Sequence, residues 1–141
     1  MFSENEKKSI VDAISEAELN TSGEIRVHID KKCKIDPVEK AIQLFEKLGM
    51  QNTKLRNGVL IYVATSNKKL AIIGDQGIND AVPENFWNNI KEEMISNFKK
   101  GDFITGISKG IIESGHKLKE HFPYQSNDTD ELSNEISFGD E

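Results

Sequence analysis

Asp75, Asn79 and Asp80 place three oxygen-bearing side chains within six residues of one another. Gly74 and Gly77 flank the first of them and permit a tight backbone that aims carbonyl oxygens inward. Hard cations such as Ca²⁺ take about six to eight oxygens from this mixture of carboxylate, amide and carbonyl. The chemistry indicated is divalent-cation binding, although a capped surface turn ahead of a helix explains the same residues. An EF-hand is excluded, because the third position of a loop starting at Asp75 is Gly77 and the twelfth is Phe86, not Glu.

Other reactive types are poorly placed. No phosphate-binding loop, nucleophile elbow or H-E-x-x-H helix occurs. Cys33 is the sole cysteine, which rules out an internal disulfide and a Cys-rich zinc site, and it reads as an unpaired thiol. His28 alternates onto the polar side of a strand, while His116 and His121 lie five apart and so off a common helical face. All three read as solvated surface histidines. No residue is assigned a catalytic role.

The elements that must position the oxygen cluster follow from periodicity. Ser3 and Glu6 form an S-x-x-E capping box before an apolar stripe of Ile10, Ala13, Ile14 and Ala17, predicting a helix over 4–19. Residues 24–29 alternate strictly and predict a half-exposed strand near a sheet edge. Asp36-Pro37 opens a second helix with Val38, Ala41, Ile42, Phe45 and Leu48 inward, stopped by Gly49. The apolar run 58–65 suits a central strand, and the turn at 66–69 returns it as an antiparallel hairpin through 70–73. Residues 74–80 read as a polar loop. Pro83 and Glu84 open a third helix ending at Gly101, and Asp102 caps a fourth with Ile104, Ile107, Ile111 and Leu118 inward. Gly106 and Gly110 in that helix suggest close helix-to-sheet packing.

The order α-β-α-β-β-α-α predicts an α/β fold: a three-layer α/β/α sandwich with a small mixed sheet. If 58–73 is a hairpin, Asp75 emerges where the other two strands begin. A polar rim then gathers Glu24, Asp75, Asp80 and Asp102 as candidate carboxylate ligands, with Asn57 and Asn79 as neutral ones.

The chain has 141 residues and a net charge of −6, which fits one domain. Six of its 24 acidic side chains lie after residue 120, where no Lys or Arg occurs, so the body before that point is neutral by count. A neutral body argues against nucleic acid as partner. No apolar stretch approaches the roughly 20 residues of a membrane helix, and the first residues, MFSENEKKS, contain no apolar leader core. The expectation is one domain over 1–122 and an acidic, disordered tail over 123–141.

Four pieces, in order, resemble the TPM domain: Thr21-Ser22-Gly23-Glu24-Ile25; the run from Asn57 to Ala64; Gly74-Asp75-Gln76-Gly77-Ile78; and Phe98-Lys99-Lys100-Gly101-Asp102-Phe103 followed by Gly106-Ile107. The resemblance spans about residues 5–120 and implies an α/β/α sandwich that binds divalent metal where loops cross at one sheet end. The metal implied is Ca²⁺, with Mg²⁺ as the alternative. Asp75 matches best, Glu24 and Asp102 follow, and Asp80 enters by proximity. The resemblance also implies metal-assisted acid phosphatase activity as an alternative, since some relatives carry that label. The family's usual signal peptide and membrane segment have no counterpart, so the expectation is a stand-alone, monomeric, cytoplasmic module.

Overall fold

Ser3 accepts a hydrogen bond from the Glu6 amide, and the Glu6 carboxylate accepts one from the Ser3 amide. The capping box therefore forms, and α1 (Glu4–Glu18) starts where the sequence places it. In the computed structural model, which describes residues 2–124 and 132–139, the chain continues through β1 (Glu24–Asp30), α2 (Pro37–Lys47), β2 (Gly58–Ala64) and β3 (Lys69–Gly74). Then come α3 (Gln76–Ala81), α4 (Asn88–Lys99), α5 (Phe103–Leu118) and β4 (Ser137–Phe138).

The strands lie in the order β3-β2-β1-β4. β1 runs parallel to β2 and to β4, while β2 and β3 form the expected antiparallel hairpin. Alternation along the strands divides the core between the two sheet faces. Ile25, Val27, Ile29, Val59, Ile61 and Val63 join the buried sides of α1, α4 and α5. Leu60, Tyr62, Ala64 and Ala71 face the other way, against Ala41, Leu44 and Phe45 of α2. This is the mixed-sheet α/β fold with helices on both faces.

Local features depart from the sequence reading for identifiable reasons. The buried face of α2 is centred on Ala41, Leu44 and Phe45, leaving Val38 and Ile42 about half exposed. The observed stripe keeps the helical period with a shifted phase. Residues 76–81 are a short helix, not a loop, because the Asp75 carboxylate caps the Gln76 amide. Gly106 and Gly110 serve helix-to-helix contact rather than helix-to-sheet contact. A Cβ there would lie 2.8 Å from Phe98 Cε1 and 2.4 Å from Met94 Sδ, both on α4.

β1 is an interior strand, because residues 137–138 pair with its outer edge. His28 is accordingly buried, at 4% exposure, and not solvated. Cys33 is buried as well. Within the tail, residues 132–139 lie against the body: Leu132 packs on the α2-side core and Ile136 on the opposite one. The period of two in β1 was legible, but the cover over its polar side comes from residues more than a hundred positions away. Residues 125–131 and 140–141 of that tail lie outside the described residues.

Candidate functional site

Three segments meet at one end of the sheet. The Glu24 amide donates to the Asn57 carbonyl at 3.1 Å, and the Asp75 amide donates to the Gly58 carbonyl at 2.9 Å. The starts of β1 and β2 and the end of β3 are thus tied together, as the hairpin topology requires.

The approach of residues 55–56 to α3 depends on Gly77. Its amide donates to the Arg56 carbonyl at 2.9 Å. A Cβ at this position would fall 2.3 Å from the Leu55 oxygen and 2.7 Å from that of Arg56, both backbone atoms. Arg56 itself adopts a left-handed backbone, with φ of 50°. That conformation, with the close approach, carries its side chain to Asp75.

The result is a bidentate ion pair. Arg56 Nε donates to Asp75 Oδ2 at 2.7 Å, and Nη2 donates to Oδ1 at 2.8 Å. Oδ1 also accepts from the Gln76 amide at 2.8 Å. Asp75 is buried, whereas the Arg56 side chain is 47% exposed. Hydrogen bonding to Asp75 raises the guanidinium pKa above its ordinary value.

Beside this pair opens a cleft of about 500 Å³ between α2, the end of β3 and α3. Ile42, Phe45 and Ile73 form its apolar wall, while Glu46, Gln51, Asp75, Gln76, Asn79 and Asp80 supply oxygens. The Oε1 of Gln51 is buried with no hydrogen-bond partner. Asn79 and Asp80 are exposed at the rim.

The remaining candidates are engaged elsewhere. Glu24 is buried, and its Oε1 accepts from the Leu132 amide at 2.7 Å. Asn57 donates through Nδ2 to the Ser22 carbonyl at 2.8 Å, while its buried Oδ1 has no partner. Asp102 caps α5 by accepting from the Thr105 amide, and hydrogen bonding to Thr105, first through its side chain and then its backbone, lowers the carboxyl pKa. Asp102 does not reach the rim. A Cβ on Gly23 would stand 3.3 Å from Leu118 at the other end of the 16-residue α5. Asp102 is therefore about 24 Å of helix away.

The six sequence candidates thus do not converge as one ligand set, and among the described residues no group of three or more His, Cys, Asp or Glu side chains could hold a metal ion. Asp75, Asn79 and Asp80 share the cleft. Sequence reasoning missed Glu46, Gln51 and the role of Arg56. The signal available for Arg56 was its position next to the rim candidate Asn57, but nothing in the spacing pairs it with Asp75.

An α/β/α domain with an oxygen-lined cleft where loops meet at one sheet end defines the class of protein. The chain belongs to the TPM domain family, whose model matches residues 1–116. Among solved structures it is similar to BA42 from the psychrophilic bacterium Bizionia argentinensis, at 48% identity and a TM-score of 0.92, covering 99% of this chain and 96% of that one. The fold is shared more distantly with an N-terminal domain from P. gingivalis, at 17% identity and a TM-score of 0.71, over 89% and 82% of the two chains. It is also shared with the N-terminal domain of cg2496 from Corynebacterium glutamicum, at 13% identity and a TM-score of 0.65, over 100% and 82%. No curated protein matches. Among the described residues no helix is long and apolar enough to cross a membrane.

Proposed function

We propose that the domain is a divalent-cation-binding module whose site is the cleft between α2 and α3. Ca²⁺ is the favoured ion, because the lining offers carboxylate and amide oxygens and no sulfur or imidazole. Asp75, Asn79 and Asp80 would hold it, with Glu46, Gln51 and Gln76 as further oxygen donors on the same wall. Glu24 and Asn57 are left out because Leu132 and Ser22 engage them, and Asp102 because it lies at the far end of α5.

The observation that supports this reading most is that the buried Asp75 carboxylate already holds a cationic group at the mouth of the cleft. The same observation constrains it. Oδ1 takes two donors and Oδ2 one, so an incoming ion must share Asp75 with the guanidinium or displace it. Half-exposed Arg56 can swing into solvent, and the ion then takes over its neutralising role. A bound cation would tie α3 to the 51–57 segment directly, where Arg56 and the Gly77 amide now do so.

The test is a Ca²⁺ titration followed by backbone NMR on the wild type and Asp75→Asn. Saturable shifts at residues 75–80 and 51–57, lost in the variant, support the reading. Unchanged spectra at millimolar Ca²⁺ and Mg²⁺ would contradict it.

A further inference from the structure

Residues 132–139 run along the outer edge of β1 and are pinned at three points. The Leu132 amide donates to Glu24 Oε1 at 2.7 Å, and the Gly139 amide donates to the Ile29 carbonyl at 3.0 Å. Between them, Ser137 Oγ lies 2.8 Å from His28 Nδ1. The other ring nitrogen, Nε2, lies 2.9 Å from Asp30 Oδ1, and the Tyr62 hydroxyl donates to Asp30 Oδ2 at 2.7 Å. A polar chain Ser137–His28–Asp30–Tyr62 therefore runs from the segment into the sheet. Gly139 closes over it: a Cβ there would be 1.7 Å from Asp30 Oδ1 and 3.1 Å from His28 Nε2.

The donor count fixes which form of His28 this chain suits. With a neutral ring whose Nε2–H donates to Asp30, Nδ1 accepts from the Ser137 hydroxyl. A protonated ring donates from both nitrogens. The Ser137 hydroxyl must then reverse and find another acceptor, against a strand edge already covered by Gly139.

We propose that residues 132–139 form a strap latched by neutral His28, which loosens when His28 takes up a proton. The groups facing His28 come from every neighbouring element: Arg26 and Asp30 on β1, Lys40 on α2, Tyr62 on β2 and Ser137 on the strap. Asp30 favours a charged ring; Arg26 and Lys40 oppose it. Burial outweighs Asp30 and holds the imidazole below its ordinary value of 6.5. With the strap lifted, the ring meets water and regains an ordinary pKa. Protons thus bind the open state better, so closure is fully favoured above about pH 6.5 and weakens as pH falls below it. Lifting the strap bares the backbone edge of β1, a template for another strand.

Amide hydrogen exchange on the full chain at about pH 7.5 and about pH 5.5, corrected for intrinsic rates, reads the latch in a window above ordinary carboxylate titration. Protection at Leu132 and Gly139 should fall several-fold at the lower pH while Ile61 in β2 stays unchanged. The fall should vanish in His28→Gln. Constant protection in the wild type, or an equal fall in His28→Gln, overturns the proposal. Should His28→Gln not fold, Ser137→Ala serves: the His28 ring must then titrate closer to its ordinary value than in the wild type, and an unmoved ring titration overturns the latch.

Discussion

Arg56 grips Asp75 through two parallel hydrogen bonds, 2.7 and 2.8 Å long, from a left-handed backbone position that Gly77 holds against α3. The carboxylate proposed as a metal ligand is thus already paired: a guanidinium stands in front of it. Arg56→Gln removes that competitor. Ca²⁺ affinity, measured by calorimetry, should rise several-fold, and equal or weaker affinity would show that Arg56 does not compete for Asp75.

Gly77 is the position where a single methyl group does most to this site. In Gly77→Ala the new Cβ meets backbone oxygens that cannot rotate away, so residues 55–56 and α3 must separate. The expected cost is about 1–3 kcal/mol, read from denaturant midpoints. NMR shifts should centre on Arg56 and Asp75. Wild-type stability with an intact Arg56–Asp75 pair would count against the close approach.

Asp102 and Asp75 should separate cleanly. Asp102→Ala removes the cap of α5 and lowers the melting temperature, yet Ca²⁺ titration should give wild-type shifts at residues 75–80. A Ca²⁺ response weakened as in Asp75→Asn would place Asp102 in the ligand set after all.

Tyr62→Phe tests the polar chain inside the sheet. Tyr62 is fully buried, and burial is the main reason its hydroxyl pKa is pushed far up, with its bond to Asp30 adding to that. The hydroxyl thus stays a donor throughout the physiological range. Its loss leaves Asp30 Oδ2 without that donor, at a cost of about 1–3 kcal/mol in urea or guanidinium unfolding. A neutral substitution would mean that water replaces the hydroxyl.

The contrast between Ser3 and His28 explains how much of the molecule was legible in the sequence. Ser3, Asp36 and Asp102 cap their helices through neighbours two or three residues away, so a local pattern suffices to find them. The hairpin 58–74 and the two-faced core follow from periodicities of comparable range, and together they place Asp75 at the correct sheet end. His28 is buried by Ser137 and Gly139, and Asp75 is held by Arg56 from a loop 19 residues earlier. Neither contact leaves a periodic trace. Asp102 was misplaced for a related reason: sequence order shows that it starts a helix, but which end of the sheet that helix starts from depends on how α5 packs. Leu118 against Gly23 decides this, and only in three dimensions.

Cation binding at Asp75 is the central claim, and a backbone NMR titration of the wild-type protein with Ca²⁺ tests it most directly. Saturable shifts confined to residues 51–57 and 75–80, with the Arg56 side-chain Nε–H signal moving as its bond to Asp75 breaks, are the predicted result. Spectra that do not change at millimolar Ca²⁺, or shifts confined to the exposed acidic side chains with the Arg56–Asp75 pair intact, would contradict it.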